Sequence, residues 1–260
     1  MRLFGFSLFA CALVVATNSA QAADDAKWAT VKGQVVWAGA VPEQPKIVPG
    51  VNKEVCAKDV EPLEEDYVIN PKNKGLKNVF VWIRPVGAQK EDKFPANLIN
   101  PALIKAMKPT VEIDQPCCRF IPHVLAAQAG QKMVIKNSAP IAHNAKWSSS
   151  NNGDVNPLIA AGGKYELEKA LVFERSEIQL QCSLHSWMKS HVRVFDHPYF
   201  AVTDADGNFE IKDAPVGNFS LYVNHPATGW KDGVKGNKGQ PLEIKAGGTD
   251  TGKLEMKKPE

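Results

Sequence analysis

This chain is built from short apolar runs, many of them β-branched or aromatic, each closed by glycine, proline, asparagine or aspartate. A helix needs a 3.6-residue periodicity sustained over roughly a dozen positions, whereas a strand needs only a few residues between turn signals. The pattern therefore predicts an all-β fold. Strands are expected at 31–37, 78–83, 110–114, 132–137, 177–182 and 191–195, with one helix around 95–107. Beyond 196, the stretch 200–211 reads as a hairpin turning at Asp206-Gly207, because glycine accepts the positive φ of a tight turn. Further strands are expected at 218–224, 240–245 and 253–257.

The first residues read differently. Arg2 precedes an almost uncharged apolar run from Leu3 to Ala16, and Ala20-Gln21-Ala22 supplies the small residues a signal peptidase reads. The run is shorter than the roughly 20 apolar residues that span a bilayer. Residues 1–22 are expected to be a secretory signal peptide, which predicts a periplasmic or secreted protein with no transmembrane segment in its mature chain. A net charge of +3 with scattered lysines gives no basic stripe, so nucleic-acid binding is not expected. The expected domains are 23–195, a first β domain with a long N-terminal extension, and 196–260, a small β-sandwich.

One segment carries chemistry. Gln181-Cys-Ser-Leu-His-Ser-Trp-Met-Lys189 holds Cys182, His185 and Met188 at the spacing C-x-x-H-x-x-M. Ile178, Leu180 and Cys182 share one face of a period-two strand, so Cys182 points into the core at the strand's end. Strand pattern resumes at Val192, which leaves the three residues on a short loop. Upstream, a strand at 132–137 leads into Ser-Ala-Pro-Ile-Ala-His-Asn144, placing His143 in a second loop. A thiolate, two imidazoles and a weak thioether form the donor set that suits copper in both oxidation states. Zinc would more naturally take further Cys or His ligands and has no use for Met.

These residues resemble the cupredoxins, and the amicyanin type most closely, with Trp187 before Met188 and Lys189 after it. Asn137…His143-Asn144 is similar to the first-ligand loop of plastocyanin-like domains. The resemblance implies a Greek-key β-sandwich holding one copper ion through His143, Cys182, His185 and Met188. Asn144 would tie the two ligand loops together, and His185 would lie near the surface. Ser186 stands where amicyanins have proline. The order of the whole chain is also similar to secreted methylamine-utilisation-like proteins. The tail, from Val202-Thr-Asp-Ala-Asp-Gly-Asn-Phe-Glu-Ile211 and Asp213-Ala-Pro-Val-Gly217, resembles the carboxypeptidase regulatory-like domain, a transthyretin-like sandwich. That likeness speaks to fold and leaves activity open. Asp204, Asp206 and Asp213 lack a full calcium-loop pattern and read as turn residues.

Once Cys182 is a ligand and Cys11 leaves with the signal, Cys56, Cys117 and Cys118 remain. A disulfide from Cys56 to Cys117 or Cys118 is expected, because exported proteins keep such bonds; sequence alone does not fix the pairing. His123 reads as a structural histidine and His191 as solvated, and no role is assigned to His197 or His225.

The expected function is one-electron transfer between an unidentified donor and acceptor, without an enzymatic reaction. Trp187 and Pro140 would line an apolar docking patch. A copper carrier or storage protein would use the same residues. The third reading is a cell-surface binding module with a vestigial copper fold, its C-terminal domain contacting the envelope. An oxidase or nitrite reductase would need further histidine clusters, and six scattered histidines do not supply them.

Overall fold

The computed structural model describes residues 27–58, 62–89 and 92–258; the expected signal peptide lies outside them. The chain is all-β. Its elements run β1 (Trp28–Trp37), α1 (Lys53–Cys56), β2 (Phe80–Pro85), α2 (Pro101–Ala106), β3 (Thr110–Ile113), β4 (Val124–Gln128) and β5 (Lys132–Lys136). Then follow β6 (His143–Asn144), β7 (Leu158–Ile159), β8 (Lys164–Glu166), β9 (Ile178–Gln181), β10 (Lys189–Phe195) and β11 (Phe200–Val202). The last are β12 (Asn208–Pro215), β13 (Gly217–His225), β14 (Gly229–Trp230), β15 (Gln240–Ile244) and β16 (Thr249–Met256).

Strand pairing redraws the domain boundary expected at 195/196. β1 pairs antiparallel with β12 and parallel with β16, while β2 lies between β11 and β13. The N-terminal strands thus complete the C-terminal sandwich. A strand left at a sheet edge exposes unpaired N–H and C=O groups, and here β1 and β2 occupy central positions of their sheets. The core of this sandwich includes Val31, Val35, Val81, Ile83, Ile211, Leu221 and Ile244. Residues from β3 to β10 enter as an insertion between β2 and β11. They form the sheets β4–β10–β9 and β3–β5–β8, with β6 paired to β7. Ile113, Met133, Ile135, Leu180, Val192 and Val194 fill the core of the insertion.

Two further expectations change. The 200–211 segment is a turn without a hairpin ladder: Asp204 Oδ1 accepts from the backbone N–H groups of Asp206 and Asn208, and Gly207 sits at φ 76°. Its arms then join different sheets. A Cβ on Gly207 would come within 2.2 Å of the Val35 carbonyl oxygen, so the turn packs directly on β1. The helix expected over 95–107 splits into a 3-10 turn at Ala96–Leu98 and α2. Asn100 breaks it, its Oδ1 capping Ala102 N with Pro101 at the first helical position.

The two sandwiches meet along β10. Its even residues, Val192 and Val194, face the core of the insertion, while Phe195 packs with Phe80, Trp82, Val124 and Tyr222. This second cover buries His191, which single-strand alternation places in solvent. Its Nδ1 lies 2.6 Å from Glu177 Oε1.

Candidate metal centre

Two loops deliver the donors. In the first, Asn137 is fully buried, and its Nδ2 reaches the carbonyls of Ile141, Ile159 and Ala160 at 2.8, 2.9 and 3.1 Å. Its Oδ1 accepts from Ala139 N. One amide thus folds the 137–143 loop back on itself and hands the chain to β6, where His143 pairs with Ile159. In the second loop, Met188 N donates to the His185 carbonyl and Cys182 N to the Met188 carbonyl, closing Cys182–Met188 into a compact turn between β9 and β10. Reciprocal backbone bonds between Lys146 and Gln181 hold the two loops side by side.

The side chains converge. The two Nδ1 atoms of His143 and His185 lie 2.9 Å apart, and Cys182 Sγ lies 3.9 Å from the first and 3.7 Å from the second. These residues are 0%, 1% and 2% exposed, respectively. These separations are short enough for the three atoms to hold one ion, and two imidazoles with one thiolate are donors that would suit copper. Met188 is buried in the same core cluster, with its backbone bonded to Cys182 and His185.

Electrostatics suit the same use. Desolvation, reinforced by the neighbouring His185, lowers the His143 pKa to about 4, and burial lowers that of His185 as well. Both rings are neutral at neutral pH, the state in which an imidazole nitrogen binds metal. Asn144 fastens the thiolate side: its Oδ1 accepts from Ser183 N at 2.7 Å and lies 3.3 Å from Cys182 Sγ. Its Nδ2 donates to Asn156 Oδ1 and to Ser183 Oγ.

The far edge of His185 is not at the surface, contrary to expectation. Its Nε2 meets Asn52 Oδ1 at 3.1 Å. Asn52 precedes α1, and Cys56 at the end of α1 is joined to Cys118 by a disulfide. Both sulfur atoms of this disulfide lie within 4.8 Å of a His185 ring nitrogen. A stapled piece of the N-terminal segment therefore covers the ring. Asn52 had no signal in the sequence, since its partner is 133 residues away. Trp187 is half-buried, with its ring 5.2 Å from His185 and edge-on to it, and its Nε1 donates to the Cys118 carbonyl. Cys117 is free and exposed. His123 is buried, Nδ1 3.1 Å from the Lys189 carbonyl oxygen. His197 and His225 are buried and accept backbone N–H bonds through Nδ1.

Similar solved structures include a purple cupredoxin from Nitrosopumilus maritimus. It is 23% identical, with a TM-score of 0.26 over 32% of this chain and 98% of that one. The Cu-containing nitrite reductase of Thermus scotoductus is 21% identical, with a TM-score of 0.29 over 33% of this chain and 22% of that one. An amicyanin variant in its Cu(I) form is 15% identical, with a TM-score of 0.30 over 44% of this chain and 97% of that one. No family model and no curated protein matches the chain.

Proposed function

We propose that this protein is an exported single-copper electron carrier, with His143, Cys182, His185 and Met188 as the residues that would hold the ion. The observation that carries the reading is the buried triangle of two Nδ1 atoms and one Sγ. Copper in such a set supplies a one-electron couple. The chain's own residues do the rest. Asn137 and Asn144 hold the loops in one geometry, so little rearrangement accompanies a change of charge. The surrounding apolar cluster, with Trp147, Leu180 and Met188, excludes water. Trp187, half-buried against His185, is the ring through which a redox partner would reach the site. Burial of the donors favours a retained ion over one handed to a partner, which sets electron transfer above the carrier reading. The disulfide accords with an oxidising compartment, and among the described residues no helix is long and apolar enough to cross a membrane.

The test is a visible spectrum of the mature protein with one equivalent of Cu(II). The expected result is an intense thiolate–copper band that bleaches on reduction and is absent in Cys182→Ser. Copper bound without colour, or a band that survives Cys182→Ser, would overturn the assignment.

A further inference from the structure

A cleft of about 920 Å³ lies between the two sandwiches, on the opposite side of β10's Val192 and Val194 from the insertion core. Its lining includes Trp82, Tyr222, Trp230, Phe173, Phe195 and Arg193. Trp82 and Tyr222 stack at 5.2 Å with an interplanar angle of 12°, and the Arg193 guanidinium lies 4.9 Å from the Trp82 ring centre.

Arg193 is the anomaly. It is only 8% exposed, yet among the described residues no carboxylate lies within ion-pair distance of it. Its two terminal nitrogens donate to the Arg175 carbonyl and to Asn224 Oδ1, both neutral acceptors, and its Nε has no partner. Glu177, which also lines the cleft, attracts Arg193 from beyond ion-pair distance but is engaged by His191 at 2.6 Å. A buried cation without a contacting counter-ion is costly unless something supplies the charge. The aromatic walls contribute quadrupole attraction to the guanidinium but no negative charge to neutralise it. Arg84, Arg175 and Lys238 also line the cleft, together with Glu174, Glu177 and Asp196, which leaves the basic groups one ahead when Arg193 is counted. A guanidinium presents a planar fork that matches a carboxylate, and ring faces accept another ring in offset or edge contact. The volume is that of a small-molecule site.

We propose that this cleft binds a small aromatic carboxylate, with its carboxylate on Arg193 and its ring among Trp82, Tyr222 and Trp230. The site is separate from the metal centre and does not depend on copper being bound.

The test is titration of the mature, copper-free protein with benzoate, followed by tryptophan fluorescence and by ligand-observed NMR, with benzamide and acetate as controls. The expected result is saturable benzoate binding, at least about tenfold tighter than for either control. Arg193→Gln should abolish binding, while Arg193→Lys, which keeps the charge and loses the fork, should retain part of it. Because Arg193→Gln also removes packing, its fold is checked by amide NMR, and Trp230→Ala, at a half-buried position, serves as a second variant that should weaken benzoate and leave acetate unchanged. No saturable benzoate binding, equal binding of benzamide, or binding indifferent to Arg193→Gln would overturn the proposal. Equal binding of acetate would reduce the site to a simple anion pocket and overturn the aromatic assignment.

Discussion

Asn52 Oδ1 lies 3.1 Å from His185 Nε2, so a residue of the N-terminal segment fixes the outer edge of a candidate metal ligand. With Oδ1 as acceptor, Nε2 carries the proton and Nδ1 presents its lone pair to His143 and Cys182. Partners of this kind set the tautomer and orientation of a ligating histidine. Among the described residues His143 has no such partner, its buried Nε2 being unbonded.

Asn52 sits at φ 50°, where glycine is at ease. Asn52→Gly therefore removes the amide without straining the backbone. Copper affinity should fall by about tenfold or more, read by competition with a chelator, and copper should leave faster. An unchanged affinity would show that packing alone orients His185.

The Cys56–Cys118 bond closes a separation of 62 residues. Under the loop-entropy model its loss costs about 4 kcal/mol. The double variant Cys56→Ser, Cys118→Ser should show that loss in denaturant unfolding. Hydrogen exchange at 52–56 should rise, and copper should be released faster as the cover over His185 loosens.

Asn137 should be intolerant of change. In Asn137→Ala the carbonyls of Ile141, Ile159 and Ala160 lose their donor inside the protein. The expected cost is at least about 2 kcal/mol, measured by urea unfolding, with weaker copper binding as His143 loses its fixed loop.

Two histidines away from the metal centre predict acid sensitivity. Desolvation, with Arg84 adding repulsion, lowers the His197 pKa to about 3; desolvation, with His123 and His191 adding to it, does the same for His225. Their folded-state values lie below the unfolded value near 6.5, so the unfolded chain binds more protons between those limits. Stability is fully present above about pH 6.5 and is lost as pH falls towards 3, at up to about 1.4 kcal/mol per pH unit for each histidine. Unfolding free energies of copper-free protein between pH 7 and 4.5 check this. Replacing His197 with Gln should flatten the slope.

The local chemistry was legible in the sequence because it is set by neighbours along the chain. Cys182, His185 and Met188 share one loop, and alternation at Ile178 and Leu180 aims Cys182 inward. Asn137, His143 and Asn144 share another. The all-β class followed from turn residues cutting the chain into short runs. Tertiary structure alone decided three things, each joining residues far apart in sequence. Strand pairing placed β1 and β2 in the C-terminal sandwich, because a sheet edge takes whichever strand satisfies its hydrogen bonds. Packing of that sandwich against β10 buried His191 and left Arg193, among the described residues, with no carboxylate in ion-pair contact, which period-two alternation on one strand does not encode. The disulfide then held Asn52 over His185, turning an edge expected at the surface into a covered one.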